Sequence, residues 1–254
     1  MAYWQKIWRF QNSVEYEYTY MGNYGAKGEK RKKRAKPTPE QVAKQNLTNR
    51  TNYVRRLIKG NFSPGDYWIT LKYAAGTRKP VEEVRKDMEH FISNMRKAYK
   101  KQGEQFKYIF RVEIGSKGGI HIHIILNRRS GGQSTDVLVE RYWKGGHPHF
   151  QLLYEDGGYD QLASYLVKPA LEGQKEDTYL KGYHPSRNLK KPVPETKIYL
   201  KRTVKKLIEE GPVPQEGFYI DKDTLEVGEN QFTGMSYLRY TEVRIKPIRG
   251  SDSR

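Results

Sequence analysis

Apolar and polar positions change rhythm repeatedly along the 254 residues. Between Trp4 and Tyr24, Val14, Tyr16, Tyr18 and Tyr20 alternate strictly, which predicts a strand. Gly22, Gly25 and Gly28 break it. After Pro37 and Pro39, residues 40–59 read as a helix with a sparse apolar stripe, Val42, Val54, Leu57 and Ile58. Its basic face, Arg50, Arg55, Arg56 and Lys59, is exposed on that reading. A turn at Ser63-Pro64-Gly65 opens a strand over 66–73. Pro80 suits the first position of a helix, and Glu82 and Glu83 complement its first turn. Val84, Met88, Phe91, Ile92, Met95 and Tyr99 then recur at helical spacing until Gly103. Residues 106–114 and 120–126 form a predicted hairpin about a Lys-Gly-Gly turn. A short helix over 136–143, a strand over 149–154 and a helix over 159–168 follow. The rest reads as a basic helix over roughly 196–210 and short extended pieces at 218–220 and 237–245. The buried stripe of that helix would be Ile198, Val204, Leu207 and Ile208.

The order β-α-β-β-α-β, then α, is that of a ferredoxin-like or RRM-like split βαβ unit. It predicts an α+β fold, an antiparallel sheet with helices packed on one face. Three stretches are expected: an N-terminal strand and basic arm over 1–36, the main domain over 37–190, and a C-terminal extension over 191–254 packed on the same domain. No internal repeat is present.

Charge narrows the partners. Lys and Arg total 47 against 29 Asp and Glu, a formal net charge of +18, with a pI near 9.7. Such an excess repels itself unless a polyanion compensates it, which points to nucleic acid first and an anionic membrane second. A mean hydropathy of −0.92 and the lack of a long apolar run argue against a membrane-spanning protein. The start, MAYWQKIWRF, has no apolar core of a secretory signal. The absence of cysteine excludes disulfides, zinc fingers and thiol catalysis. The expectation is a soluble protein of the cytoplasm. Aromatic residues make up 13% of the chain, too many for an unfolded basic tail, and their rings suit stacking on bases. The run KGEKRKKRAK over 27–36, with Lys30, Arg31, Lys32, Lys33 and Arg34, reads either as a solvated arm or as a contact for DNA phosphates.

The sharpest chemical signal is Gly118-Gly119-Ile120-His121-Ile122-His123-Ile124. On a strand His121 and His123 point to one face, and Ile120, Ile122 and Ile124 fill the other. Pairing across the turn brings residues 110–114 alongside, with Glu113 expected opposite the histidines. Two neutral imidazoles and a carboxylate suit a divalent metal while leaving positions for substrate oxygens. The pattern alone also fits a hairpin with two hydrogen-bonded histidines. A second pair, His147-Pro148-His149, contains a proline that interrupts strand pairing and reads as a strand-entry turn or a phosphate contact. Farther on, Tyr165 and Lys168 share a helix face in Ala163-Ser164-Tyr165-Leu166-Val167-Lys168. A phenol, with a pKa near ~10, is a sluggish nucleophile unless a cation favours its phenolate.

His-Ile-His on a central strand followed by Tyr-Leu-Val-Lys on a helix resembles the HUH endonucleases, and among them the phage and plasmid replication-associated Rep proteins. YWITLKY at 67–73 resembles their first motif, VEIG before GGIHIHIILN the strand supplying a third ligand, and WKGGHPHFQLLYEDGGYDQLASYLVKP the stretch leading to their tyrosine helix. SRNLKKP at 186–192 resembles a segment that follows it and carries Arg187, Lys190 and Lys191 as further expected DNA contacts. The resemblance covers most of residues 37–245 and implies an HUH nuclease domain over 37–190. It implies that His121, His123 and Glu113 bind Mn²⁺ or Mg²⁺. Tyr165 would attack a DNA phosphodiester, leaving a 5′-phosphotyrosine and a free 3′-hydroxyl, with Lys168 beside it. The implied role is nicking and rejoining of single-stranded DNA at a replication origin, a hairpin or melted strand, in a bacterial host. Some members carry two catalytic tyrosines on one helix. Here Tyr159, six residues before Tyr165, falls about 120° off its face at helical pitch. No GxxxxGK[ST] is present, so host helicase and polymerase are the implied partners.

Two other functions fit parts of the pattern. Gly115 followed after five residues by His121-Ile122-His123 matches half of a cupin metal motif. The Glu that motif wants next is Asn127 or Arg128 here, and residues 81–101 are helical where a cupin is all-β. A basic RRM-like module that only binds nucleic acid fits the coarse fold and the charge equally well.

Overall fold

A computed structural model describes residues 2–22, 25–30, 36–115, 117–129, 131–153, 159–169, 177, 179–201 and 203–246. In chain order the elements are β1 (Tyr3–Arg9), β2 (Ser13–Tyr20), α1 (Pro39–Lys59), β3 (Tyr67–Lys72), α2 (Val81–Lys100), β4 (Tyr108–Ile114), β5 (Ile120–Leu126), α3 (Thr135–Tyr142), β6 (His149–Leu152), α4 (Asp160–Val167), β7 (Tyr183–Pro185), β8 (Glu195–Tyr199), α5 (Lys205–Glu210), β9 (Phe218–Glu229) and β10 (Ser236–Arg244). The fold is α+β, with two antiparallel sheets and five helices among the described residues. The chain divides into two compact units, residues 49–190 and residues 1–48 with 191–254.

The unit over 49–190 holds the sheet β6-β3-β5-β4-β7. Alternation along its strands sends side chains to two faces. One face carries Ile69, Leu71, Phe110, Val112, Ile122, Ile124 and Leu126, and buries them against Val84, Met88, Phe91, Met95 and Tyr99 of α2 and Leu138 and Val139 of α3. Each fully buried side chain of this size contributes about 1.5–3 kcal/mol, so this layer sets the sheet's register. The opposite face carries Ile109 and Ile125, which pack with Val54, Leu57 and Ile58 of α1 and Ala163, Leu166 and Val167 of α4. The sequence led us to expect helices on one face only; they cover both. The reason is visible in β5, where Ile124, Ile125 and Leu126 are all fully buried, a consecutive run that only a sheet covered on both sides accommodates.

The other unit is built from the two ends of the chain. Its sheet runs β8-β1-β2-β10-β9, so strands before residue 21 pair with strands after residue 194. The single strand expected between Trp4 and Tyr24 is a hairpin: Tyr3 pairs with Tyr20 and Arg9 with Val14. Its turn is closed by the Phe10 N–H donating to the Ser13 carbonyl at 2.8 Å. Tyr16 and Tyr18 face Tyr240 of β10, with stacked rings at 4.8 and 6.4 Å, beside Val14, Leu238 and Val204. The helix expected over 196–210 is also corrected. Residues Glu195–Tyr199 pair with β1 as strand β8, Ile198 is 48% exposed, and only Lys205–Glu210 is helical. Glu29, the acid within the basic run, accepts hydrogen bonds from Tyr3, Thr203 and the Ser236 amide at 2.6–2.8 Å. Burial raises its pKa, but these bonds outweigh burial and hold its carboxyl below the usual range.

No helix among the described residues is long and apolar enough to cross a membrane.

Candidate active site

The turn before β5 fixes the histidine strand. Gly118 has φ of +75°, and its amide donates to the Gly115 carbonyl at 2.8 Å, a left-handed position that favours glycine. The register that follows aligns two rows across the sheet. Lys72 of β3, His121 of β5 and Glu113 of β4 form one row; Thr70, His123 and Arg111 form the next. Glu113 therefore lies opposite His121, as the hairpin predicts.

Helix α4 brings Tyr165 over these rows. Its hydroxyl donates a hydrogen bond to Glu113 Oε2. Lys168 Nζ donates to Glu113 Oε1 at 2.6 Å and lies 4.3 Å from the centre of the Tyr165 ring. The His123 and Tyr165 rings meet edge to face at 4.8 Å. His123 is stacked on Trp68 of β3 at 5.5 Å, and its Nδ1 is 3.2 Å from the Thr70 hydroxyl. Tyr165, Lys168, Glu113 and His123 thus converge. His121 stands next to them, its ring 6.2 Å from that of His123.

The electrostatics follow from this packing. Burial and then the hydrogen bond and charge of Glu113 push the Tyr165 phenol well above its ordinary value, so the hydroxyl is kept protonated. Burial pushes Glu113 up, but the bonds from Lys168 and Tyr165 outweigh it, and the carboxylate stays ionised. Burial drives His123 down to about 4, opposed by Glu113 and reinforced by His121, Lys168 and Lys72. At neutral pH His123 is an uncharged imidazole.

Arg111 was missed by the sequence reading. It is 2% exposed, one residue pair from Glu113 on the same face of β4. Its guanidinium donates to the carbonyls of Leu166 and Lys168 at 2.8 and 2.6 Å. Helix α4 has no basic residue of its own in its last turn, so Arg111 supplies from the sheet the positive charge that a helix C-terminus favours. The strand that carries Glu113 is thereby tied to the helix that carries Tyr165 and Lys168. Arg55, expected on an exposed basic face, instead pairs with Asp160 in the first turn of α4 at 2.6 Å.

Among the described residues no three His, Cys, Asp or Glu side chains stand close enough to hold a metal ion. The ready-made cluster expected of His121, His123 and Glu113 is therefore not assembled here, because both Glu113 oxygens are engaged by Tyr165 and Lys168. The donors themselves suit a divalent cation. His123 Nε2 is buried without a hydrogen-bond partner among the described residues and lies 3.7 Å from Glu113 Oε2, with the second imidazole on the same face.

Tyr159 is 6% exposed, and its ring is packed in the cluster beneath α4. His147 and His149 are exposed, and His149 pairs with Thr70 in the β3–β6 ladder. Lys30, Arg187, Lys190 and Lys191 are exposed, while Arg31, Lys32, Lys33 and Arg34 lie outside the described residues. Beside Tyr165 a cavity of about 250 Å³ opens, lined by Trp68, Thr70, His123, Gln151, Leu152, Leu153, Gln161 and Leu162. The alternation in YWITLKY put Trp68 and Thr70 on one face, but no local pattern marked it as the histidine face.

No curated protein and no solved structure matches the chain. Residues 66–170, which run from the residue before β3 to just beyond α4 and so contain every one of the converging groups, match the family of replication-associated proteins of the ORF2 type.

Proposed function

We propose that the protein is a metal-dependent endonuclease of the HUH type, which nicks and rejoins single-stranded DNA to start rolling-circle replication. The observation that carries this reading is the meeting of Tyr165 and Lys168 with Glu113 and His123 inside the segment matched by a replication-associated family. The order β3-α2-β4-β5-α3-β6, with neighbours 6-3-5-4, supports the ferredoxin-like HUH fold this function requires.

In this reaction the Tyr165 oxygen attacks the scissile phosphorus. The phosphorus–O3′ bond breaks, the 3′ oxygen leaves as a hydroxyl after taking a proton, and the 5′ phosphate remains on the tyrosine. The phosphotyrosyl ester retains the energy for rejoining, and the free 3′-hydroxyl serves a host polymerase working with a host helicase. Glu113 Oε2, already the acceptor of the Tyr165 hydrogen bond, takes the proton. Lys168, beside the phenol ring, stabilises the developing phenolate. Arg111 holds α4 so that these groups stay in register. Mn²⁺ or Mg²⁺, held by His121, His123 and Glu113, would supply positive charge to the phosphate oxygens. The net charge of +18 favours DNA, with exposed Lys30, Arg187, Lys190 and Lys191 as phosphate contacts together with Arg31 to Arg34.

The test is to incubate the protein and Mn²⁺ with a pool of labelled, hairpin-bearing single strands of randomised sequence, and to look for an adduct that survives denaturation. The adduct is expected with the wild type and absent in Tyr165→Phe or with a chelator. An undiminished adduct in Tyr165→Phe contradicts the assignment.

A further inference from the structure

The cavity beside Tyr165 has walls of unusual chemistry for this chain. Trp68, Leu152, Leu153 and Leu162 make it apolar, and Gln151, Gln161 and Thr70 supply the polar groups. Among the described residues not one Lys, Arg, Asp or Glu lines it, although the chain carries 47 basic residues and a net charge of +18. A site for a phosphate in such a protein would use that charge. An uncharged ligand with flat apolar faces and a hydrogen-bonding edge fits these walls.

The placement of the polar groups is specific. Gln161 precedes Tyr165 by one helical turn, so the two side chains share a face of α4. Gln151 pairs with Trp68 in the ladder between β3 and the edge strand β6, which sets its carboxamide beside the indole. Both glutamines are exposed, and neither side chain has a hydrogen-bond partner among the described residues. The volume, about 250 Å³, exceeds the ~150 Å³ cavity that accommodates a benzene ring and suits one nucleobase. A strand whose phosphate sits at the Tyr165 hydroxyl necessarily brings the adjoining nucleoside to this opening, because Tyr165 and His123 form its wall.

We propose that the cavity takes one unstacked base, from a nucleotide flanking the phosphate that is cut, and that Gln151 and Gln161 read its edge. Trp68 and Leu162 contact the base faces, and the paired donor and acceptor of each carboxamide engage its polar edge. This rests on the single-strand cleavage reading above and adds to it the source of sequence preference at one position.

The cut sequence recovered from the adducts provides the substrate for the test. An abasic residue is stepped one position at a time across the cut, and single-turnover adduct formation is measured for wild type and for Gln151→Ala/Gln161→Ala. One flanking position is expected to lose about 5- to 150-fold when abasic. At that position the wild-type preference among the four bases should flatten in the double variant, while the two proteins cut the abasic strand at equal rates. Preferences unchanged in the double variant, or abasic residues tolerated on both sides of the cut, overturn the proposal. A second measurement separates this outcome from failure of the cleavage reading. In Tyr165→Phe protein, 5-iododeoxyuridine at the same position is expected to photocrosslink to peptides 149–153 or 160–165. Crosslinks confined to other peptides overturn the pocket alone, and absence of any single-strand binding removes both readings.

Discussion

Replacing Arg111 with methionine removes a buried guanidinium and leaves the carbonyls of Leu166 and Lys168 facing an apolar chain of similar length. Each of the two hydrogen bonds, at 2.8 and 2.6 Å, is charge-assisted and contributes about 1.5–3 kcal/mol. Against this stands relief from burying the cation: burial holds the Arg111 pKa below its usual value, and its Nε has no hydrogen-bond partner among the described residues. The net loss we expect is about 2–4 kcal/mol, concentrated where the bonds are made. At ~1.4 kcal/mol per factor of ten, amide exchange in α4 should accelerate about 30- to 700-fold. Hydrogen-exchange mass spectrometry on peptides over 160–168 reads this directly. Arg111→Lys keeps a charge but lacks the fork that reaches two carbonyls, and should fall between the two. Tyr165-dependent adduct formation should drop with the same ranking. Exchange over 160–168 within twofold of wild type in Arg111→Met would refute the idea that Arg111 holds the tyrosine helix. So would an equal acceleration throughout residues 49–190.

Protonation of His123 should cost stability in acid. Its value falls from 6.5 to about 4 in the fold, a gap of about 3 kcal/mol. The stabilisation is complete above pH 6.5 and is lost as the pH falls toward 4. Urea unfolding of metal-free protein should therefore show a pH dependence between 6.5 and 4 that His123→Gln lacks, and identical dependence in both proteins would count against it. In Glu113→Gln the phenol of Tyr165 should titrate at lower pH than in the wild type, because the carboxylate that raises it is gone. NMR of Cζ-labelled tyrosine measures this, and an unmoved Tyr165 resonance would show that burial alone sets its value.

The parts of the fold legible in the sequence were those made by neighbours. The alternation in residues 67–73, the Gly118 turn and the helical spacing from Val84 to Tyr99 are local signals. The packing in the structure agrees with them, placing Glu113 opposite His121. The hairpin at residues 10–12 escaped because Phe10-Gln11-Asn12 has neither glycine nor proline to punctuate it. Strand β8 escaped because Thr196 and Ile198 are extended through pairing with β1, almost two hundred residues away, while the lysines around them suit a helix as well. Arg111 looked like an ordinary strand arginine. Its role depends on the end of a helix fifty residues later, and no local pattern records that. Helices on both faces were foreshadowed by Ile124-Ile125-Leu126, a run easily taken for one side of a hairpin.

The central claim is that the Tyr165 oxygen is the atom that takes up the DNA phosphate. Digesting the protein–DNA adduct and sequencing the modified peptide by mass spectrometry tests it at the level of one residue. The account predicts a nucleotide joined through its 5′ phosphate to Tyr165, on a fragment that also contains Leu166 and Val167. A nucleotide on Tyr159, on a histidine or on any other side chain would contradict it, as would linkage through a 3′ phosphate.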